Sequence, residues 1–409
     1  MKIAFWGNTC NNFFALCKIL RDESSFFDCH LYLDINSDIQ NLPESENVEF
    51  NNNYPSWIHK DIKWNPQRFF THLDKSLLNE LNKYDLVFLS GRGVSLIPYI
   101  TKKSIFFVTG GDLTISPFFF RQFWGNISLD IIPKTIASFF QKKGIRNAFS
   151  IITQPFFPFV NALELIKVDK NKINRTYFPV VIDTSKIQNV VIDTSNKFVS
   201  EINLISRFKL KIFHPSRIML KKNKISFNSG QWKNNGLLFE AVAQYKEKIN
   251  ADIILILIER DFSPDILTAK KIIENLNIEE NVIWLKPQNP QGYTKNELLN
   301  FYSISDIVVD EFGVGWFGSV VLEGLACKKP VICKVDESIM KKIYPWHPIL
   351  NAESVFEIVE IFEKIVNDKE FALKIGDSGL EWIQNFHSES FVKKLYAKEI
   401  LNYLNFNEI

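Results

Sequence analysis

Apolar residues along the chain fall into short unbroken runs, separated by segments whose apolar positions recur with helical spacing. Lys2–Trp6, Cys29–Leu33, Leu86–Leu89, Ile105–Thr109 and Phe149–Thr153 are such runs, and Asn11–Leu20 has helical periodicity. Continuous apolar strands alternating with helices predict a parallel sheet covered on both faces. The pattern restarts in the second half. Ile212–Arg217 reads as a strand end, and Leu237, Leu238, Ala241, Val242 and Tyr245 mark a helix after Lys233-Asn-Asn-Gly236. Strands at Ile253–Ile258 and Val282–Leu285 alternate with helices at Asp265–Leu276 and Glu297–Tyr302. Three amphipathic helices follow, near Ala352–Val366, Glu370–Gln384 and Ser390–Leu404. The chain therefore reads as α/β, with two Rossmann-like domains. The expected division is 1–195, 196–385, and a C-terminal helix over 386–409 that could cross back onto the first domain. Phe178-Pro-Val-Val-Ile-Asp-Thr-Ser185 and its near copy Val190–Ser195 mark the expected change of domain.

The stretch Asp306–Ile332 carries the most chemistry. It predicts a buried strand (Ile307–Val309), a loop with Gly313, Gly315 and Gly318, a helix opening near Ser319, and a second strand from Val331. Free N–H groups and the positive end of the dipole make such a helix start an anion site. Glu323 lies one turn in, where a carboxylate could meet hydroxyl groups. In the first half, Ser90-Gly-Arg-Gly93 and Gly110-Gly-Asp112 follow strands. Ligands of open α/β sheets bind beyond the carboxyl ends of strands, so these tips and the Gly7-Asn8 turn should line a cleft. Asp112 could equally serve as a turn or N-cap residue.

Composition narrows the class. The 409 residues are 46% hydrophobic, a globular balance, and the net charge of +2 does not point to nucleic acid. Residues 92–175, however, carry 12 basic and 4 acidic side chains. Aromatic and basic residues interleave at Phe118–Trp124 and Phe139–Arg146, which would suit either an amphipathic helix packed on the sheet or a peripheral membrane contact. Cys10, Cys17, Cys29, Cys327 and Cys333 show no metal or redox spacing, as expected of a reducing cytoplasm. No GxGxxG follows the first strand, which disfavours a dinucleotide cofactor. No signal peptide or membrane span is expected.

His214-Pro-Ser-Arg217, Lys233-Asn-Asn-Gly236 and Gly318-Ser-Val-Val-Leu-Glu-Gly-Leu-Ala-Cys-Lys-Lys-Pro-Val-Ile332 together resemble a retaining family-4 glycosyltransferase, of the kind that builds surface polysaccharides. The resemblance implies the GT-B fold, with two facing Rossmann-like domains and an interdomain cleft. It implies an enzyme that moves a hexose from a nucleotide sugar to a glycan or lipid-linked saccharide, without metal or cofactor. Arg217 and Lys233 would stabilise the leaving diphosphate, and Asp112 would orient the acceptor. The donor-binding set would comprise Glu311, Gly315, Phe317, Gly318, Ser319, Val320 and Glu323, with Pro287 and Gln288 beside the nucleobase. Gly7, Asn8, Asn11, Asn12, Arg92, Gly110 and Gly111 would lie on the acceptor side. The implied place of work is the cytoplasm, at the inner face of the membrane. A sugar-nucleotide 2-epimerase on the same fold and a non-catalytic nucleotide- or glycan-binding subunit are the alternatives.

The family pattern is departed from in three places, one being Gly110-Gly111-Asp112 where an acceptor-domain histidine is expected. Gly315 stands eight residues before Glu323, where the first carboxylate of the signature is expected; Glu311 and Asp310 are the nearby acids, and spacing does not choose between them. Lys328 replaces the usual glycine before Lys-Pro, so a different helix cap is expected there.

Overall fold

The computed structural model describes residues 1–21, 26–34, 41–46, 50, 53–64, 75–119, 131–177, 180–188, 198–249, 252–260, 265–288 and 292–405. The aromatic segment 120–124 and the near copy Val190–Ser195 lie outside the described residues. The chain forms two compact units, Met1–Val181 with Glu389–Ile409, and Ile182–Ser388.

The first unit is built on β1 (Lys2–Trp6), β2 (Asp28–Asp34), β3 (Ile58–Ile62), β4 (Leu86–Leu89), β5 (Lys103–Phe107), β6 (Ser150–Thr153) and β7 (Ile173–Arg175). They form a seven-stranded sheet in the order β3-β2-β1-β4-β5-β6-β7, and every pairing is parallel. The central strands are the apolar runs seen in the sequence. The two edge strands are the polar Ile-His-Lys-Asp-Ile and the three-residue Ile-Asn-Arg, which hydrophobic periodicity does not reveal. The core packs Phe5, Phe13, Phe88 and Phe107 against Val392, Tyr396 and Ile400 of the helix Glu389–Leu404. Lys103 Nζ donates to the Tyr403 carbonyl (2.6 Å), and Asn174 Nδ2 to the Tyr403 hydroxyl (2.9 Å), which ties that helix to β5 and β7.

The second unit comprises β8 (Leu210–His214), β9 (Ile253–Ile258), β10 (Val282–Leu285), β11 (Ile307–Val309) and β12 (Val331–Ile332). These form a parallel sheet in the order β10-β9-β8-β11-β12. Ile-Ile-Leu-Ile-Leu-Ile over β9 is buried at every position, as a strand covered on both faces must be. Unit 2 begins at Ile182, ahead of the expected boundary at 195/196. Its N–H bonds the carbonyl of His387 (2.9 Å), beside a bridge from Ile182 to Ser388.

The helix Ser319–Ala326 ends in the way the Lys328 substitution seemed to forbid. Lys328 itself takes the left-handed conformation (φ 55°) usually left to glycine, and the N–H of Lys329 closes onto the Gly324 carbonyl at 3.0 Å. Lys328 Nζ pairs with Asp377 (2.9 Å), while Gly376 lets the helix Lys369–Phe386 approach: a Cβ there would stand 2.2 Å from the Lys328 carbonyl oxygen.

Among the described residues no helix is long and apolar enough to cross a membrane.

Candidate functional site

Chain order around each sheet reverses at one point, and the crevice there receives the loops that follow two neighbouring strands. In unit 2 that point lies between β8 and β11. The loop after β8 carries Ser216 and Arg217, and the loop after β11 carries Asp310 to Gly318. A third loop, Gln231–Asn235, enters before the helix Gly236–Ile249.

These loops are held by a buried polar network. His214 is fully buried at the end of β8, and burial pulls its pKa down to about 4, so the ring is neutral at physiological pH. Nδ1–H can then donate to the Val309 carbonyl (2.8 Å), leaving Nε2 to accept from Asn235 Nδ2 (2.7 Å). The Asn235 carbonyl oxygen accepts the Met219 N–H at 2.7 Å. The third loop also donates through the Lys233 N–H to Met219 (3.2 Å) and accepts the Phe312 N–H (2.9 Å). Gly313 permits that contact: a Cβ there would lie 1.8 Å from the Trp232 carbonyl oxygen.

Lys233 lies at the centre. Its side chain is 14% exposed, and Nζ stands 2.5 Å from Glu311 and 3.5 Å from Asp310. Burial alone would lower its pKa, but the two carboxylates outweigh that and hold it raised. Asp310 also accepts from the Ser216 hydroxyl and from the Gly318 N–H (3.1 Å). Lys233 and these donors keep it ionised against burial. Glu311 is less well supplied, and burial pushes its carboxyl up to about 7 despite Lys233 and Arg217. Arg217 is half-buried beside Ser216, and its charge acts on both Lys233 and Glu311. One crevice therefore gathers two cations, two acids and a helix start, where Ser319 and Val320 lie in the first turn, the turn whose N–H groups lack intrahelical partners. Glu323, on the same helix, accepts from the hydroxyl of buried Tyr302 at 2.8 Å. Tyr302 belongs to no quoted motif, and the motifs His214–Arg217 and Lys233–Gly236 give no sign that the side chains of His214 and Asn235 meet. The visible signal was only that His214 closes a buried strand.

The remaining expected donor contacts divide. Gly315 needs its freedom (φ 76°) and accepts the Asp336 N–H at 2.9 Å. Phe317 is buried on Trp316, Tyr344 and Trp382, which makes its ring a core side chain. Pro287 and Gln288 follow β10, the edge strand, with β9 between it and β8.

In unit 1 the reversal falls between β1 and β4. Gly7 (φ 91°) lies so close to Ser90 that a Cβ would meet its Oγ at 2.3 Å. Asn8 and Asn11 are spent on the fold: Asn8 Nδ2 donates to Asn11 (2.6 Å) and the Asn41 carbonyl (2.7 Å), and Asn11 Nδ2 to Leu42 (2.7 Å) and Ser45 (2.6 Å). Asn12 Oδ1 is buried without a hydrogen-bond partner among the described residues. Arg92 is exposed. Asp112 is buried, and its carboxylate accepts the N–H groups of Gly91 (3.0 Å), Thr109 (3.1 Å) and Gly110 (3.0 Å) and the Thr109 hydroxyl (2.9 Å). Burial raises its pKa against the pull of those donors. Asp112 thus staples the loops after β4 and β5, with Gly110 (φ 123°) and Gly111 in the turn it closes.

Residues 204–382 match the family Glycosyl transferases group 1. No curated protein sequence matches the chain. Among solved structures, Anabaena Alr3699/HepE in complex with UDP-glucose is similar at 16% identity and TM-score 0.67, over 98% of this chain and 100% of that one. A sucrose-phosphate synthase from Thermosynechococcus elongatus is similar at 13% identity and TM-score 0.63, over 100% of both chains. A putative UDP-N-acetylglucosamine 2-epimerase from Listeria monocytogenes follows at 14% and 0.55, over 100% of this chain and 97% of that one. Likeness at these identities is likeness of fold. The chain has the GT-B fold, and the match to the family Glycosyl transferases group 1 falls within its second unit.

Proposed function

We propose that this chain is a glycosyltransferase that takes a hexose from a nucleotide sugar, with Arg217 and Lys233 binding the donor diphosphate. The observation that carries the reading is the meeting of these two cations with the start of the Ser319–Ala326 helix at the β8/β11 reversal, inside the matched domain. Loss of the diphosphate leaves negative charge, and fixed positive groups in a crevice stabilise it without reorganising. Arg offers a forked clamp and Lys a point charge. In this reading the helix start contributes through Gly318, Ser319 and Val320, and Glu323, oriented by Tyr302, accepts from the ribose hydroxyls. Metal-independent transfer with retention of configuration follows from the family resemblance.

The acceptor side is assigned to unit 1, with a lipid-linked saccharide as acceptor and a surface glycan as the product. The helix Ile131–Asn147 supports a contact with an anionic membrane surface at the cytoplasmic face, because Ile132 and Phe139 are 67% and 61% exposed, with Lys143 and Arg146 exposed further along. Co-sedimentation with anionic liposomes should weaken when Lys142, Lys143 and Arg146 are neutralised.

The test of the donor reading is thermal-shift screening against UDP-, GDP-, ADP- and dTDP-sugars, followed by transfer assays with the sugar that binds. Binding to the native state raises the midpoint. One class of nucleotide sugar should stabilise the wild type and fail to stabilise Arg217→Ala. Stabilisation unaffected in Arg217→Ala would overturn the assignment, and an isomerised donor formed without acceptor would point to the epimerase.

A further inference from the structure

The Lys233 ammonium is not waiting free for an anion. Its nearest partner is Glu311, at 2.5 Å, whose side chain is only 8% exposed. Asp310 presses on the same centre from the preceding residue, and Arg217 from the loop after β8. Just after β12 the neighbour is the buried Cys333 thiol, raised by burial first and then by the charges of Asp310 and Glu311. Lys334, next along, turns its side chain to Glu353 (2.8 Å). His214 lies behind Asp310, neutral. Two cations thus face two acids, and Asp310 is the better hydrogen-bonded of the acids, with the Ser216 hydroxyl and Gly318 N–H as donors.

A diphosphate arriving on Arg217 and Lys233 adds at least two negative charges. Among the described residues, the interactions that favour ionised Glu311 come first from Lys233 and then from Arg217, those same two cations. Once they turn to the diphosphate, Glu311 is left buried beside Asp310 and the phosphates, with the desolvation and like-charge repulsion that favour the neutral form. Escape into water is blocked by its burial, so the remaining outcome is a proton from solvent.

We propose that a nucleoside diphosphate group binding at Arg217 and Lys233 displaces the Glu311 carboxylate from Lys233, and that Glu311 gains a proton as it binds. The neutral carboxyl becomes a hydrogen-bond donor beside the phosphates, a role closed to a carboxylate. Glu311 thereby acts as a placeholder anion, which keeps Lys233 charged and positioned while the donor is away. The inference rests on the reading of Arg217 and Lys233 as the diphosphate-binding pair.

The experiment is titration calorimetry of the full chain with UDP, GDP, ADP and dTDP in turn. It is run near pH 8, roughly two units above the second phosphate ionisation, so the ligand itself changes little. Two buffers of different ionisation enthalpy, Tris and HEPES, report proton exchange directly. The expected result is a heat that differs between buffers in the sense of uptake, approaching one proton. The Kd should weaken by up to about tenfold per pH unit between pH 7.5 and 9, the slope of one linked proton. Glu311→Gln should bind with no buffer dependence and a flat Kd over that range. Equal heats in the two buffers for a wild type that binds would overturn the inference and leave the donor reading standing. So would full proton uptake by Glu311→Gln. Absence of binding by all four diphosphates would overturn both. The wild-type buffer comparison decides the matter even if Glu311→Gln does not fold.

Discussion

Lys233→Ala is expected to damage the fold as well as the chemistry, and by an amount that depends on pH. Lys233 is the shared counter-ion of two buried acids, so its removal leaves Asp310 and Glu311 side by side without an opposing ammonium. Removal of one partner from a buried ion pair costs about 3–5 kcal/mol. Part of that cost is relieved when Glu311 holds a proton. In the wild type Glu311 titrates near 7, above its ordinary 4.5, so its contribution falls as pH rises from 4.5 to about 7 and is level beyond. In Lys233→Ala the pull of the ammonium is gone and the folded-state pKa moves higher, so the fall continues past pH 7. The stability gap between wild type and variant should therefore be smaller near pH 6 and widen towards pH 9. Adding Glu311→Gln to Lys233→Ala should remove most of the pH dependence and restore about 1–3 kcal/mol, the coupling expected of residues in contact. Urea denaturation of the full chain at pH 6 and pH 9 measures all three proteins. An equal loss at both pH values, or a double variant no more stable than Lys233→Ala at pH 9, would refute the counter-ion argument.

Tyr302→Phe removes the hydroxyl that orients Glu323 at 2.8 Å. A hydrogen bond to a charged group is worth about 1.5–3 kcal/mol, so nucleotide affinity should drop by roughly ten- to a hundredfold with the fold intact, as titration calorimetry can measure. Asp112→Asn keeps the shape of the turn but replaces an acceptor oxygen with an N–H donor facing backbone N–H groups. Thermal denaturation should show a loss of about 1–3 kcal/mol, with no change if the staple is incidental. Gly313→Ala drives a methyl against the Trp232 carbonyl, so the Lys233 loop must shift; a stability loss of about 1–3 kcal/mol and weakened diphosphate binding are expected by denaturation and calorimetry.

The architecture was legible because the buried parallel strands are unbroken apolar runs. Ile253–Ile258 could hardly be anything else, and the restart of the alternation separates two sheets. β3 and β7 escaped detection because edge strands tolerate polar residues, as His59, Lys60 and Arg175 show. Motif and local placement singled out Arg217, Lys233 and Glu323, and the structure brings Arg217 near Lys233 and puts Glu323 on the helix Ser319–Ala326. The acid beside Lys233 could not be chosen from spacing. The family interval leads to Gly315, whereas the loop spends extra residues on Gly313 and Gly315 and leaves Glu311 at the strand end against Lys233. Phe317 misled for a related reason: a loop aromatic looks available until Trp316, Tyr344 and Trp382 surround it. The His214–Asn235 network depends on three loops distant in sequence, and no local pattern encodes it.

The helix Glu389–Leu404 completes the core of a unit whose sheet was finished some two hundred residues earlier, at β7. Unit 2 is in effect an insertion, entered at Ile182 and left at Ser388, residues that bridge each other. Synthesis from the N-terminus therefore exposes Phe13, Phe107 and their neighbours until the whole inserted domain has emerged. During that interval the first sheet is the part of the nascent chain most in need of a chaperone. A chain truncated at residue 388 should carry a folded second domain joined to a sticky first one.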